Sequence, residues 1–295
     1  MKSWIFILVL FLFAFFYSCT EKVEQGQLID SEGQEEESFS ARSKSSRSRS
    51  GGSGSSSGGS GSSSGRSSGS SSSGGTFNTN VCDKIPEVRT EILTVLKDLN
   101  VIEIGATCEI VTEADLRQIL TLNLKKKNIR NFPSHTFNGL SGLKTLILYD
   151  NTVGSLPADI FNGLSNLEEI NMYNMGLRSV PPGLLSGLTS LIRFRMDHQP
   201  LESGTLPESF FNGLSALEEI NLRETSLESL PAGLFNGLSS LREINLYHNN
   251  LKRLPPGIFN SLSALERIDL RYNDFSDAEK QRIRSEVSSS VTLLF

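Results

Sequence analysis

The sequence predicts an α/β solenoid: one curved parallel sheet built from short strands, one strand per repeat, and closed by a helix at each end. Three observations predict it. A pattern of leucine-like residues recurs seven times, and five of its six intervals are 24 residues long while one is 26. An amphipathic segment precedes the array, and a helix-start signal follows it. Because one such repeat is too small to bury its own apolar side chains, stacked repeats must share a single core.

The first 18 residues indicate export. Lys2 precedes an apolar or small run from Trp4 to Tyr17. As a helix this run would rise about 21 Å, well short of a hydrocarbon core of about 30 Å, so residues 1–18 are predicted to be a cleaved signal peptide. Cys19 follows directly, in a setting that resembles a bacterial lipobox, which implies that Cys19 is lipidated and anchors the chain to a membrane. The alternative is an ordinary signal peptide with an incidental cysteine.

Residues 19–75 are predicted to form a disordered tether. They begin acidic, turn basic between Arg42 and Arg49, and then consist of Ser and Gly with a single arginine. Such a composition cannot bury enough apolar surface to offset its ordering entropy. The whole chain has 28 Lys and Arg against 33 Asp and Glu, a formal charge of −5. With no basic excess to neutralise phosphates, nucleic-acid binding is not expected.

Residues 76–118 are predicted to cover the N-terminal end of the array. Apolar residues from Ile85 to Leu99 fall on one face of a helix, with Asp83 placed to cap it and Pro86 near its first turn. A solenoid needs such a cap because its end repeat would otherwise expose the core.

The sequence has three cysteines. Once Cys19 is set aside, Cys82 and Cys108 are an even pair in an exported chain, so a disulfide is the default expectation. Two buried free thiols are the alternative.

Seven repeats are predicted over residues 119–275, each following Leu-x-x-Leu-x-Leu-x-x-Asn-x-Leu-x-x-Leu-Pro. This pattern resembles the leucine-rich repeat signature, which implies one strand per turn with the leucines directed inward. Strand alternation then directs Leu146 and Leu148 inward and Tyr149 outward. The ninth position normally holds Asn, and neither Lys127 nor Met175 can replace its hydrogen bonds, so the middle of the array is expected to be less regular than its end. The repeats begin at Ile119, Leu143, Leu167, Leu191, Leu217, Leu241 and Leu265.

The outer turns contain aromatic residues that the same resemblance places in the core. In the third repeat, Leu185 occupies the corresponding position. The aromatic residues are Phe137, Phe161, Phe211, Phe235 and Phe259. We expect their rings to stack as one spine.

Residues 276–295 are predicted to cap the C-terminal end. Ser276 to Glu279 form a capping box that opens a helix to about Val287, and Val291 to Leu294 add a last strand. Together with Val81-Cys82-Asp83-Lys84 and Cys108 in the first cap, residues 80 to 295 resemble a bacterial family of secreted leucine-rich repeat proteins.

The outward positions of the strands favour protein binding. Tyr and Arg are frequent there, both dominate protein interfaces, and the mixed charges suit a protein better than a polyanion. The resemblance implies an unidentified protein partner, on a host or in the envelope, bound on the concave face by a monomer displayed on the bacterial cell surface. A secreted or periplasm-facing location is the alternative. The predicted contact residues are Tyr149, Tyr173, Arg195, Arg223 and Tyr247.

Two other functions are weighed against protein recognition: a structural scaffold of the envelope, and a metal-dependent or enzymatic role. Outside the Ser/Gly tract of residues 50–75 the sequence has no GxSxG motif, and it has no phosphate-binding loop, so we predict no catalytic residue and no cofactor. His198, Glu224 and His248 share one row of the array, but the two histidines would lie about 10 Å apart and nothing marks a fourth ligand. We therefore predict no metal site.

Overall fold

The computed structural model describes residues 80–103, 105–202, 204 and 206–295. The predicted signal peptide, Cys19 and the predicted tether lie outside these residues. Within the described part of the chain, no helix has both the length and the apolar character needed to cross a membrane.

The described residues form an eight-stranded parallel sheet in which each strand pairs with the next along the chain. The middle residue of each strand faces the middle residue of its neighbour, as Leu122 faces Leu146, so one repeat position lies beside the same position of the next repeat. This is the predicted solenoid, with one strand per repeat. The strands are β1 Thr121–Asn123, β2 Thr145–Ile147, β3 Glu169–Asn171, β4 Arg193–Arg195, β5 Glu219–Asn221, β6 Glu243–Asn245, β7 Arg267–Asp269 and β8 Thr292–Leu294.

The core follows from strand alternation. The middle residue of every strand from β1 to β7 is buried. The predicted phenylalanine spine is confirmed: Phe137 stacks on Phe161 with centroids 6.1 Å apart, and Phe235 stacks between Phe211 and Phe259 at 6.3 and 6.1 Å. Leu185 separates the two stacks, as the sequence indicated.

The ninth position of the repeats carries a hydrogen-bonding ladder. Buried Asn249 accepts from the main-chain N–H of Leu227 (3.0 Å) and donates to the carbonyl of Leu222 (2.9 Å), which lies in the preceding repeat. Buried Met175 has no such side chain, but its main-chain carbonyl accepts from the N–H of Val153 (2.9 Å). Strand register is the same on both sides of this repeat, so the expected irregularity is limited to the side-chain ladder.

The N-terminal cap contains helix α1 (Pro86–Asp98), whose Val88, Ile92 and Leu96 are buried against the first repeats. The prediction that Asp83 caps this helix is wrong. Asp83 ends a short 3-10 turn, and Ile85 occupies the N-cap position without a side-chain hydrogen bond. Proline at the first helical position removes one of the N–H groups that a cap would satisfy.

A disulfide links two parts of the N-terminal cap, and hydrogen bonds connect the cap to the first repeat. The predicted disulfide is formed between Cys82 and Cys108, with Cα atoms 5.1 Å apart. Buried Lys84 donates through Nζ to the carbonyls of Thr136 (2.8 Å) and Asn138 (3.0 Å) in the first outer turn. Burial lowers the pKa of Lys84 to about 8, against the opposing effect of Asp83.

A second short helix, α2 (Glu113–Leu116), leads into the first repeat. A Cβ atom at Gly142 would overlap the carbonyl oxygen of Arg117, the residue that follows α2. The glycine is therefore needed where the cap approaches the first outer turn.

The C-terminal cap is helix α3 (Asp277–Glu286), close to the predicted bounds, with the hydroxyl of Ser276 accepting from the N–H of Glu279 (3.2 Å). The Glu279 carboxylate accepts instead from the N–H of Leu254 (3.0 Å), and Arg282 donates to the carbonyl of Leu254 (2.8 Å). The helix thus satisfies backbone groups of the last repeats, and β8 then pairs with β7 as predicted.

Candidate functional site

The outward side of the sheet is the candidate site, and we call it the strand face. It comprises the third, fifth and seventh positions of each repeat, which point away from the core, and the eighth position that follows. Main-chain bonds continue to the eighth position: the N–H of Asp150, for example, donates to the carbonyl of Tyr173 (3.1 Å). Side chains on this surface are therefore held at the regular spacing of the strands.

A first aromatic group lies at the N-terminal half of the strand face. Tyr149 and Tyr173 contact each other edge to face with centroids 6.3 Å apart, and Tyr173 contacts the ring of His198 at 4.8 Å. The ammonium of Lys125 lies 5.8 Å from the centre of the Tyr149 ring. Two of the five predicted contact residues are thus brought together.

A charged group follows in the middle of the face. His198 Nδ1 lies 2.9 Å from one carboxylate oxygen of Glu224, and Arg223 Nη2 lies 2.7 Å from the other. Arg195, a predicted contact residue, turns instead toward Asp197, with Nε 3.6 Å from Oδ1. Burial raises the pKa of Asp197, while the charge of Arg195 acts in the opposite direction.

A second aromatic group lies at the C-terminal half. Tyr247 and Tyr272 have ring centroids 4.8 Å apart, and His248 lies 6.1 Å from Tyr247. The guanidinium carbons of Arg223 and Arg271 lie 4.9 and 5.4 Å from the centre of the Tyr247 ring. Arg223 and Tyr247 are therefore a second predicted pair in contact.

Tyr272 was missed by the sequence analysis. It is 66% exposed and occupies the eighth position of the seventh repeat, the row in which His198, Glu224 and His248 were recognised. Extending that row by one repeat would have found it.

A row of asparagines runs beside the rings at the fifth position. Each accepts through Oδ1 from the main-chain N–H two residues later, as Asn171 does from Tyr173 (3.1 Å) and Asn221 from Arg223 (3.1 Å). Asn123 and Asn245 make the same bond. This contact fixes the amide so that Nδ2 is directed away from the accepted N–H.

The third position carries charges of both signs. Arg193 donates to Glu169 through Nε (3.2 Å) and Nη2 (2.8 Å). Burial raises the pKa of Glu219, and neighbouring Glu243 raises it further. The pKa of Glu243 is also raised by burial, against the effect of Arg267. Ion pairing and the raised carboxylate pKa values therefore reduce the net charge of the third-position row.

The backbone conformation at the eighth position accounts for the histidines found there. In all seven repeats this residue has a positive φ, between 49° at Asn174 and 56° at Tyr272. Histidine, asparagine and aspartate are the non-glycine residues that enter this region most readily. Among the described residues, no group of three or more His, Cys, Asp or Glu is arranged to hold a metal ion.

The outer turns offer one open depression beside the 26-residue repeat. Pro182, Pro207, Asn212 and Asn236 are among its lining residues. It holds no cluster of reactive side chains that would distinguish it as a site.

Comparison with known proteins gives a family match. A family model described as leucine-rich repeat matches residues 117–172, 141–201, 204–251 and 215–275, together more than half of the chain. Among solved structures, a leucine-rich repeat protein of Leptospira interrogans is similar, with 26% identity and a TM-score of 0.49; the match covers 57% of this chain and 41% of that one. The search of curated proteins found no match. The chain belongs to the leucine-rich repeat family.

Proposed function

We propose that this protein is a non-enzymatic lipoprotein of the bacterial envelope that binds a protein partner with the strand face. Leucine-rich repeat domains generally mediate protein–protein interaction, using the extended concave surface that their stacked strands create. The strand face corresponds to that surface.

One observation carries the proposal. Side-chain contacts run without a break across the four strands from β3 to β6, from Tyr173 through His198, Glu224 and Arg223 to Tyr247. Each contact holds a large or forked side chain on a rigid strand, so little conformational entropy remains to be lost on binding. Tyrosine and arginine in such positions are the residues that most often dominate interfaces.

The size of the face also suits a partner of ordinary dimensions. Seven strands at about 4.8 Å span about 29 Å, and a standard interface covers about 800 Å² on each partner. Long side chains from several repeats are enough to reach that area.

The test is binding by variants of the strand face. A partner must first be captured from host or envelope extracts. Tyr173→Ala and Tyr247→Ala should then each lower affinity by about 2 kcal/mol if they are hot spots, whereas Asn162→Ala and Asn236→Ala on exposed outer turns should change it little. Full binding by both tyrosine variants, with loss in the outer-turn variants, would contradict the proposal.

The anchor part of the proposal rests on the export signal and Cys19. Protease added to intact cells should cleave within residues 19–75 if the protein is displayed outward. Protection until lysis would favour the internal envelope scaffold instead.

A further inference from the structure

The strand face carries charges that are already paired within it. Arg271 contacts Asp269 through Nε (3.0 Å) and Nη2 (2.6 Å), Arg193 contacts Glu169, and Arg223 contacts Glu224. A partner that used these cations would have to displace a carboxylate that lies beside each of them. The face is therefore electrostatically suited to an uncharged segment rather than to an anionic or cationic one.

What the face offers instead are rings and amide donors. The rings of Tyr149, Tyr173, Tyr247 and Tyr272 are half-buried or exposed. Beside them, the Nδ2 groups of the fifth-position asparagines have no hydrogen-bond acceptor among the described residues, while each Oδ1 is engaged. Oriented donors beside aromatic rings match a ligand that presents carbonyl oxygens and flat apolar side chains.

The spacing of these donors selects a backbone conformation. Asn123, Asn171 and Asn221 lie on β1, β3 and β5, so these three donors are two strands, or about 9.6 Å, apart; the fourth, Asn245 on β6, lies one strand beyond Asn221. A polyproline II helix repeats every three residues with a rise of about 3.1 Å, and so presents equivalent carbonyls about every 9.3 Å. An extended β-strand presents carbonyls on one side about every 6.7 Å. This spacing does not match the distance between donors, so its carbonyls would miss the second donor.

We propose that the strand face binds an uncharged, proline-rich segment of a protein partner in the polyproline II conformation, lying across the strands. Its carbonyls accept from Nδ2 of Asn123, Asn171 and Asn221, and its proline rings pack on the neighbouring tyrosines. Aromatic-lined grooves with a few donors recognise proline-rich segments in other folds for the same reason: this helix is already ordered and has no internal hydrogen bonds. The inference rests on the proposed function and specifies its partner.

The asparagine donors can be removed without disturbing the strands. Aspartate at this position keeps the acceptor for the main-chain N–H, as Asp269 does for the N–H of Arg271 (3.1 Å) in β7. Asn171→Asp and Asn221→Asp therefore keep the local fold and replace only the outward donor by an acceptor. Asn236→Asp on an outer turn is the matched control for the added charge.

The experiment measures fluorescence anisotropy of a labelled peptide with the full chain. The probe is a neutral peptide of about 12 residues built from Pro-Pro-Ala, about 37 Å long as polyproline II and long enough to span the face. A Gly-Ser-Ala peptide of the same length is the flexible control. We expect the proline peptide alone to bind, each aspartate variant on the strand face to bind about tenfold more weakly, and Asn236→Asp to bind as the parent does.

Equal binding of both peptides, or unchanged affinity in Asn171→Asp and Asn221→Asp, would overturn the inference. So would the absence of any proline-peptide binding. In that case, a captured partner that is still lost in Tyr173→Ala would leave the proposed function standing with a partner of different chemistry. A partner retained by all strand-face variants would count against both.

Discussion

Asn249→Ala should destabilise the protein through the hydrogen-bond ladder of the ninth position. The residue is buried, and its Oδ1 accepts from the main-chain N–H of both Thr225 and Leu227 at 3.0 Å. Its Nδ2 donates to the carbonyls of Leu222 and Leu246. Alanine removes these four contacts, together with a longer one from the hydroxyl of Thr225 (3.1 Å) and one to the carbonyl of Tyr247 (3.5 Å).

The four contacts do not contribute equally to the expected fall in the free energy of unfolding. The carbonyl of Leu222 keeps the hydroxyl of Thr225 as a donor (2.7 Å), and the carbonyl of Leu246 keeps Nδ2 of Asn273 (2.9 Å). Only the two main-chain N–H groups lose their acceptor. At about 1.5 kcal/mol for each orphaned buried donor, the free energy of unfolding should fall by about 3 kcal/mol.

Urea unfolding of the purified protein measures this loss as a lower midpoint at unchanged slope. Asn245→Ala is the matched control, because this asparagine of the same repeat accepts a single bond, from the N–H of Tyr247 (3.0 Å). Its cost should be about 1 kcal/mol or less. If the two variants lost the same amount, the ladder would not be the source of the effect.

Three further outcomes are expected. Between pH 8 and 10.5 the unfolded chain binds more protons at Lys84 than the folded one, so the free energy of unfolding should rise with pH in this window. Lys84→Met should flatten that rise when unfolding is followed at each pH. If the free energy of unfolding changed equally with pH in both proteins, the buried amine would not titrate in this window. Reducing the bond between Cys82 and Cys108, which are 26 residues apart, should cost about 3.5 kcal/mol in the chain-entropy model and lower the melting temperature, and an unchanged melting curve would mean that the bond contributes nothing. Cys19→Ala should release the protein from the membrane fraction on detergent partitioning, whereas a mutant that still partitions with detergent after signal cleavage would exclude lipid anchoring at this residue.

Features that repeat along the chain were predictable from the sequence. The strand positions, the inward leucines, the phenylalanine stack with its gap at Leu185 and the helix start at Ser276 all follow from local alternation, periodicity or capping chemistry. Each of these features depends on the residues of one short segment, and those within the array recur from repeat to repeat.

Features that depend on contacts between repeats were not predictable. Lys84 can be buried because two carbonyls of an outer turn more than fifty residues away accept hydrogen bonds from its Nζ. Glu279 completes the capping box only in part, because its carboxylate turns to Leu254 of the last outer turn. At Met175 the side-chain ladder is interrupted, but its main-chain carbonyl still accepts from the N–H of Val153, which the side-chain types alone do not reveal.

The contacts among the five predicted contact residues could not be derived from the sequence. Tyr149, Tyr173, Arg223 and Tyr247 were chosen singly, and the structure adds their contacts with each other and with His198 and Glu224. Arg195 was chosen for the same reason and turns instead toward Asp197. The strand pattern determines which side a residue faces but not which neighbour it contacts. The binding role of all five residues stays a prediction.

The positive φ shared by the eighth positions limits how the strand face can be engineered. Side chains branched at Cβ are strained outliers at this backbone geometry, and none occurs at any of the seven positions. A combinatorial library that randomised this row with Val, Ile and Thr would lose many members to misfolding before selection for binding began. Diversity for new specificities belongs at the seventh position, while the eighth is best restricted to Asn, Asp, His and other unbranched residues.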